Sequence, residues 1–228
     1  MRDIVRVHGP EAGSFLQGQL SQDVESLAVG SSAPSFLLSP QGRVDAFLVV
    51  RRLAAEVFEL IADEGWGAAV EERLRRFMLR TKADLERATE SDDTSPDAAA
   101  RIAAGVPAMG TEIDERTIPA ETGWVEASVS FTKGCFVGQE LVARMDSRSA
   151  EPPRRLIRLT IDAPRDSSVV GGTPIIVAGV PAGEITSSAW SDADVAHVAL
   201  GYVRRGTDLA APALVQGCGA SVLGLAGA

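Results

Sequence analysis

Two adjacent prolines, Pro152 and Pro153, constrain the fold more than any other feature of this 228-residue chain. Proline lacks a backbone N–H donor and fixes its φ angle, so the pair disfavours both a helix interior and a central strand. Beyond it the chain breaks into short apolar runs punctuated by glycine and proline, at residues 155–161, 174–178, 183–187, 195–203 and 213–223. Such runs predict short strands, and we predict a small β-barrel domain over residues 151–228.

The segment before the prolines mixes two hydrophobic periodicities. Runs typical of strands occur at residues 4–7, 35–38, 43–50, 56–62 and 82–89, and residues 127–131 alternate like the end of a strand. Helical spacing instead relates Leu16 to Leu20 and Val70 to Leu74. Strands interrupted by helices are typical of the α+β class, and we predict one α+β domain over residues 1–150.

Composition and charge narrow the classes of function. A net charge of −9 argues against a general nucleic-acid binder. No apolar run approaches the roughly 20 residues that a membrane-spanning helix needs. The first seven residues are charged and strand-like, which is not the pattern of a signal peptide. We therefore expect a cytoplasmic protein that binds neither nucleic acid nor a membrane.

The chain has few residues that could ligate a soft metal. Its cysteines are Cys135 and Cys218, and its histidines are His8 and His197. None of them stands at a spacing typical of metal ligands. A protein-borne iron–sulfur cluster usually needs about four thiolates. We expect no metal site in this chain.

A group of basic residues follows the second helical pattern: Arg73, Arg75, Arg76, Arg80 and Lys82. In an acidic protein such residues could line a site for an anionic small molecule. The favoured interpretation is a solvated helix face opposite the apolar one.

Residues 133–140, Lys-Gly-Cys-Phe-Val-Gly-Gln-Glu, are the densest group of chemically active side chains. The two glycines predict a tight turn with exposed backbone N–H groups. A thiol beside Lys133 in such a turn favours its thiolate form, which makes Cys135 a candidate nucleophile or redox-sensitive group. The alternative is a small, half-buried and inert cysteine, and local chemistry alone favours that alternative.

This octapeptide closely resembles the signature K-G-C-[FY]-x-G-Q-E of the YgfZ family. These proteins are folate-binding relatives of the glycine-cleavage T-protein that take part in the assembly or repair of iron–sulfur clusters. Residues 9–24 resemble a second family signature, G-x-D-A-x-x-F-L-Q-G-Q-x-[TS]-x-D-V, and residues 42–43 resemble its G-[RK] element. The resemblance implies a T-protein-like folate-binding domain of mixed sheets and helices, followed by the small C-terminal β-barrel.

The resemblance also implies roles for single residues and for partners. Cys135 becomes the redox-active or transiently bonding residue. The residues implied to bind tetrahydrofolate or a related folate, or to shape its site, are Asp45, Gln17, Gln19, Lys133, Gln139, Glu140 and Arg144. Asp45 is alternatively a polar residue on the exposed face of a strand, and the glutamines are alternatively helix caps or loop contacts. The implied partners are folate and iron–sulfur client or assembly proteins.

One position departs from the family pattern. Residues 101–107 resemble R-[IL]-E-A-G-[IV]-P, in which the Glu contacts the pterin ring, and Ala103 stands at that position. A methyl group accepts no hydrogen bond, and losing a charged partner costs about 1.5–3 kcal/mol. Glu112 or Glu121 would have to replace the contact, or folate is not bound.

Three functions follow from these observations. The first is a folate-dependent accessory protein that assembles or repairs iron–sulfur clusters of client enzymes. The second is a one-carbon transfer enzyme of the aminomethyltransferase type, which Asp45 favours. The third is a folate-independent binding module on the same fold, which Ala103 favours. Fold alone does not choose among them.

Overall fold

The structure, a computed structural model, describes residues 1–90, 97–147 and 151–227. Its elements in chain order are β1 (Arg2–His8), α1 (Ala12–Gln19), β2 (Ser32–Leu38), β3 (Val44–Ala54), β4 (Val57–Asp63), α2 (Gly67–Arg75), β5 (Asp84–Glu90), α3 (Ala98–Ala103), α4 (Pro119–Thr122), α5 (Val125–Ser128), α6 (Gln139–Ser147), β6 (Arg154–Ile161), β7 (Pro174–Val177), β8 (Val180–Ser191), β9 (Ala196–Arg204), β10 (Ala213–Val215) and β11 (Cys218–Leu225). None of the helices within the described residues is long and apolar enough to cross a membrane.

The chain divides into two compact units. Unit 1 comprises Met1–Ser95, Glu115–Pro119 and Val125–Arg148, and unit 2 comprises Pro96–Asp114, Ala120–Trp124 and Ser149–Ala228. Two short segments that precede the paired prolines thus belong to unit 2. The predicted domain boundary between residues 150 and 151 stays a prediction, because residues 148–150 lie outside the described residues.

Unit 1 is built on a five-stranded antiparallel sheet with the strand order β2-β3-β4-β1-β5. Alternate residues of the inner strands are fully or almost fully buried, as the period of two predicts for a sheet covered on one face: Val5, Val7, Ala46, Leu48, Val50, Phe58 and Leu60. Leu16 and Leu20 at the C-terminal end of α1 and Val70 and Leu74 of α2 pack into the same core. Helical spacing therefore identified the apolar faces of both helices correctly.

Unit 2 is a closed antiparallel barrel with the strand order β10-β11-β6-β9-β8-β7. Ile157, Leu159 and Ile161 of β6 point into its core and alternate with more exposed polar residues. A second cluster brings Ile102 of α3 against a side of β6 and β9 that includes Leu200. Closure removes free strand edges from the barrel and explains why such short strands suffice.

The predicted fold class is confirmed: mixed sheet and helices come first, and a small barrel over residues 154–225 follows. Two details of the prediction are wrong. Residues 213–223 form two strands rather than one, because Gln216 and Gly217 have φ angles of 54° and 80° and make a two-residue hairpin turn. Residues 127–131 end the short helix α5 and continue as loop. Of the predicted surface loop 90–96, residues 91–96 lie outside the described residues.

Replacement of Leu60 tests the core of unit 1. Leu60 is 0 % exposed in the central strand β4. We expect Leu60→Ala to lower the free energy of unfolding by about 2–5 kcal/mol, since the substitution removes buried methyl groups and leaves a cavity. Leu79→Ala is the control, because Leu79 is 81 % exposed and its truncation should change stability by less than about 0.5 kcal/mol. Urea titration followed by circular dichroism measures both, and equal losses would contradict the assignment.

Candidate functional site

The Lys133 ammonium group closes the C-terminal end of α1. Its Nζ donates to the carbonyl oxygens of Gln17, Leu20 and Gln22, at 2.6, 2.6 and 2.9 Å. The last carbonyls of a helix have no partner within the helix, and a cation there also offsets the negative end of the helix dipole. An ammonium has three N–H donors, and here all three are used on carbonyls. The Lys133 side chain therefore has no N–H donor left for the Cys135 thiol, beside which the sequence places it.

Burial changes the acid–base behaviour of Lys133. It lowers the pKa of the ammonium to about 8, against the partial compensation from the carboxylates of Asp23 and Glu25. The ring of Phe136 lies 5.1 Å from Nζ and contributes a further cation–π contact. Lys133 therefore acts as a half-buried structural cation in this loop.

The loop after Lys133 is tied back to α1 by its own backbone. The Val137 N–H donates to the Gly18 carbonyl at 3.1 Å, and the Phe136 N–H donates to Gln139 Oε1 at 3.2 Å. The side chain of Phe136 is buried. The N–H groups that the sequence predicted to be exposed at these two positions are thus already used, and Gln139 fixes the loop as expected.

Two glycines allow this loop to pack against the turn between β2 and β3. The Gly42 N–H donates to the Ser39 carbonyl at 2.8 Å and closes the β-turn that the sequence predicted. Gly138 has a φ of +80°, and a Cβ there would lie 2.5 Å from the Ser39 carbonyl oxygen. A Cβ on Gly42, also at φ +80°, would lie 2.6 Å from the Cβ of Leu141. Neither position accepts a side chain without displacement of backbone.

Cys135 lies on the solvent side of this anchored loop. It is a free, exposed cysteine, whereas Cys218 in the barrel is half-buried. A Cβ on the preceding Gly134 would have no neighbouring atom within 4 Å, so the surroundings of this part of the loop are open. Cys135 is therefore not the half-buried cysteine that the sequence analysis gave as the alternative. Its thiol is accessible to reagents or partners.

Asp45 lies near the start of β3 and pairs with a buried arginine. Arg73 Nε donates to Asp45 Oδ2 at 3.0 Å, Nη1 donates to Gln19 Oε1 at 3.3 Å and Nη2 donates to the Leu38 carbonyl at 2.7 Å. The Asp45 side chain keeps 33 % of its surface exposed, while the Arg73 side chain keeps 10 %. Asp45 can therefore accept a further hydrogen bond as a carboxylate with its charge compensated.

Arg73 is the residue that the sequence interpretation placed wrongly. Arg73 was assigned to the solvated face of α2, yet it is 8 % exposed and stacks on the Phe77 ring at 4.0 Å. Burial lowers the pKa of its guanidinium, against the hydrogen bond and charge of Asp45. Its position three residues after Val70 and one before Leu74, on the apolar face of the helix, is the signal that could have identified it.

Gln17 organises the loop that follows α1. Its Oε1 accepts the Val24 N–H at 2.8 Å, and its Nε2 donates to Asp23 Oδ1 at 2.9 Å. Hydrogen bonds from Ser26 and Gln17 lower the pKa of Asp23 despite partial desolvation. The Gln17 side chain thus makes the loop contacts that were the alternative to folate binding, whereas Gln19 accepts from Arg73.

Glu140 and Arg144 face solvent on α6. They form an i,i+4 ion pair in which both side chains are more than half exposed, at 84 % and 52 %. Exposed pairs of this kind contribute little to stability. Both charges therefore stay accessible to a ligand, in contrast to Lys133.

Glu112 and Glu121, the two carboxylates proposed from the sequence to replace the missing Glu at position 103, belong to unit 2. Glu112 Oε2 accepts from Arg101 at 3.1 Å and from the Ala108 N–H at 2.9 Å, and its Oε1 accepts from Ser187 at 2.5 Å. The Glu112 side chain is 0 % exposed. Glu121 is buried and accepts from Arg154 Nε at 3.2 Å. Both carboxylates serve the packing of unit 2.

The eight predicted site residues all lie in unit 1, where they form two groups and an exposed pair. Lys133 and Gln139 anchor the loop that carries Cys135, and the backbone carbonyl of Gln17 is one of the acceptors of Lys133. Asp45 and Gln19 meet through Arg73. Within the described part of the chain, no group of three or more His, Cys, Asp or Glu side chains is arranged to hold a metal ion.

Comparisons with known proteins agree with this fold. Residues 154–216 match the glycine cleavage T-protein C-terminal barrel domain. The structure is similar to the glycine cleavage system aminomethyltransferase T of Bartonella henselae, with a TM-score of 0.78 and 18 % identity over 97 % of this chain and 82 % of that one. At this identity the similarity establishes a T-protein-like fold alone.

Two relatives found by sequence are matched over only part of their length. An aminomethyltransferase of Streptomyces avermitilis is 28 % identical over 203 residues, which cover 88 % of this chain and 51 % of the relative. A protein of Haemophilus influenzae described as uncharacterized is 25 % identical over 187 residues, 64 % of this chain and 67 % of that protein. The chain thus spans about half the length of the aminomethyltransferase that it matches.

Substitution of the two loop glycines tests the packing of the loop. We expect Gly138→Ala to lower the free energy of unfolding by about 1–3 kcal/mol from the positive φ alone, with more from the contact with Ser39. Gly134→Ala is the matched control four residues away, where a Cβ meets open space. Chemical denaturation of both variants measures the difference, and a Gly138 variant as stable as the Gly134 variant would refute the packing.

The lowered pKa of Lys133 predicts a pH dependence of stability. Between pH 8 and 10.5 the folded state releases the Lys133 proton while the unfolded state retains it. The unfolded state then binds more protons, so stability rises with pH in this window. We expect the stability of wild type relative to Lys133→Met to increase from pH 8 to pH 10.5. A matched Lys82→Met variant, which removes an exposed lysine, should show no such trend; a wild-type advantage that shrinks would contradict the assignment.

Proposed function

We propose that the chain is a cytoplasmic, folate-dependent accessory protein that assists the assembly or repair of iron–sulfur clusters in client enzymes. The observation that carries the proposal is an exposed thiol, Cys135, on a loop anchored by Lys133 and Gly138. Thiolates are the ligands of iron–sulfur clusters, and a cluster usually needs about four. One thiol suits transient contact with a client's cluster or cysteine, not storage of a cluster. The resemblance of residues 133–140 to the YgfZ signature supports this role.

The folate part of the proposal depends on which side chains keep free hydrogen-bonding capacity. Gln17 and Lys133 use theirs within the protein, and Gln19 Oε1 accepts from Arg73. Asp45 retains an exposed carboxylate oxygen, and Arg144 retains an exposed charge. The Asp45 carboxylate can accept hydrogen bonds from the N–H groups of a ligand, and the Arg144 guanidinium can pair with a ligand carboxylate. These two groups fit a polar heterocycle with an anionic tail. We assign Asp45 and Arg144 to the folate, with Gln139 fixing the loop and Glu140 paired with Arg144.

When bound, a folate carries one-carbon units and supplies that chemistry to the site. Asp45 would hold the donors of the ligand through a carboxylate that Arg73 orients. Ala103 contributes no hydrogen bond, and neither Glu112 nor Glu121 replaces it, since both are buried in contacts of unit 2. We therefore expect weaker binding than in a site that has the additional Glu.

A one-carbon transfer enzyme of the aminomethyltransferase type is the second candidate. It is favoured by the partly exposed Asp45 carboxyl group, which pairs with Arg73, and by the relative and the solved structure that carry the name aminomethyltransferase. A folate-independent binding module is the third. It is favoured by Ala103 and by the internal use of both glutamines.

Titration with tetrahydrofolate separates the third candidate from the other two. We expect wild-type protein to bind the ligand in calorimetry and Asp45→Asn to bind it at least about tenfold more weakly, since a charge-assisted hydrogen bond is lost. Asp63→Asn is the control, because Asp63 is an ion-paired carboxylate of the same sheet. Absence of binding up to millimolar ligand would refute the folate part and support the folate-independent module.

Replacement of Cys135 in cells tests the iron–sulfur part of the same proposal. In cells that lack the native protein, Cys218→Ser should sustain the activity of iron–sulfur enzymes under oxidative stress and Cys135→Ser should not. Cys218 serves as control because it is the half-buried thiol of the barrel. Undiminished enzyme activity with Cys135→Ser would overturn the accessory role. The transferase would instead be supported if the purified protein turned over an aminomethyl donor. That activity should then be retained in Cys135→Ser and lost in Asp45→Asn.

A further inference from the structure

The Arg73 guanidinium joins three separate segments of unit 1. It donates to Asp45 near the start of β3, to Gln19 in the last turn of α1 and to the Leu38 carbonyl at the end of β2. A guanidinium holds its N–H donors in a rigid plane. Three acceptors around that plane therefore fix each other's positions as well as the orientation of Arg73. Stacking on Phe77 at 4.0 Å fixes the plane itself.

Two of these three segments also hold the loop of Cys135. The end of α1 supplies the Gln17 and Leu20 carbonyls that accept from Lys133. The end of β2 lies against Gly138. A Cβ added to this glycine would lie 2.8 Å from the Leu38 Cβ and 2.5 Å from the Ser39 carbonyl oxygen. The contacts of Arg73 and the contacts of the loop thus meet in the same two short stretches of backbone.

We propose that Arg73 is a positioning residue that couples the Asp45 carboxylate to the loop carrying Cys135. The coupling follows from the backbone segments that both sets of contacts share. A change in the Asp45–Arg73 pair alters the hydrogen bonds from Arg73 to Gln19 and to the Leu38 carbonyl. Those two residues adjoin the α1 carbonyls that accept from Lys133 and the turn at residues 39–42, against which the Cys135 loop packs. A ligand that offers N–H donors to Asp45 would then change the order of the Cys135 loop. The inference rests on the proposed function only in taking Asp45 and Cys135 as functional residues.

If Arg73 were merely a residue of the core, its replacement would have a different effect. A core residue contributes to global stability, and its loss should accelerate hydrogen exchange across unit 1 to a similar extent. A positioning residue should affect the contacts named above more than others. The Val137 N–H reports on the loop because it donates to the Gly18 carbonyl of α1. The amides of β1, an inner strand paired on both sides, report on unit 1 as a whole.

The test is native-state amide hydrogen exchange of Arg73→Met and Arg76→Met. The two arginines lie three residues apart, and Arg76 is an exposed member of an i,i+4 ion pair. In Arg73→Met we expect exchange at Val137 at least about tenfold faster than in wild type, with a smaller change at the amides of β1. In Arg76→Met we expect wild-type rates. Equal acceleration at Val137 and β1, or none at Val137, overturns the proposal.

Two further variants keep the test decisive if Arg73→Met does not fold. Arg73→Lys retains the charge but lacks the planar set of donors, so Val137 should exchange at a rate between those of wild type and the methionine variant. Asp45→Asn removes the charge at the other end of the pair and should also accelerate exchange at Val137. Wild-type exchange at Val137 in both variants refutes the coupling. No folate is present in these measurements, so a failure of folate binding leaves their outcome unaffected.

Discussion

The ammonium of Lys133 and three carbonyls at and just beyond the end of α1 form the interaction on which the candidate site depends. Helix α1 has only eight residues, and its C-terminal end carries unpaired acceptors that burial would otherwise leave without donors. Lys133 supplies those donors from more than a hundred residues further along the chain. One contact therefore ends the helix and places the loop that carries Cys135. The identity of the residue follows from this geometry, since no other side chain offers three N–H donors from a single atom.

The parts of the fold that follow from local chemistry could be predicted from the sequence. Alternation in residues 44–50 and the turn that ends at Gly42 each depend on neighbours in the chain, and each occurs where it was expected. The hairpin at Gln216 was missed because a non-glycine residue with positive φ gives a weak signal. The apparent strand at residues 127–131 failed because five residues cannot separate alternation from the buried end of a short helix.

The candidate site could be predicted only as a set of residues. Lys133 was singled out as a positive charge beside the thiol, but its ammonium binds backbone carbonyls instead, because acceptors at the end of α1 are invisible from the motif. Arg73 was assigned to solvent, because its partner Asp45 lies 28 residues away in sequence and on another element. Charge patterns report composition and local spacing, whereas the burial of a charge is decided by tertiary partners. The matched barrel at residues 154–216 does not help here, because the eight candidate residues lie outside it.

The anchored loop has a further consequence for recognition. A flexible loop must lose conformational freedom when a partner docks on it, at about 0.5–1.5 kcal/mol for each side chain that becomes immobilised. Around Cys135 the neighbours Lys133, Phe136 and Gly138 are already held by α1 and by the turn before β3. A partner that reaches the thiol therefore meets a preorganised surface and needs less contact area to form a complex of given affinity.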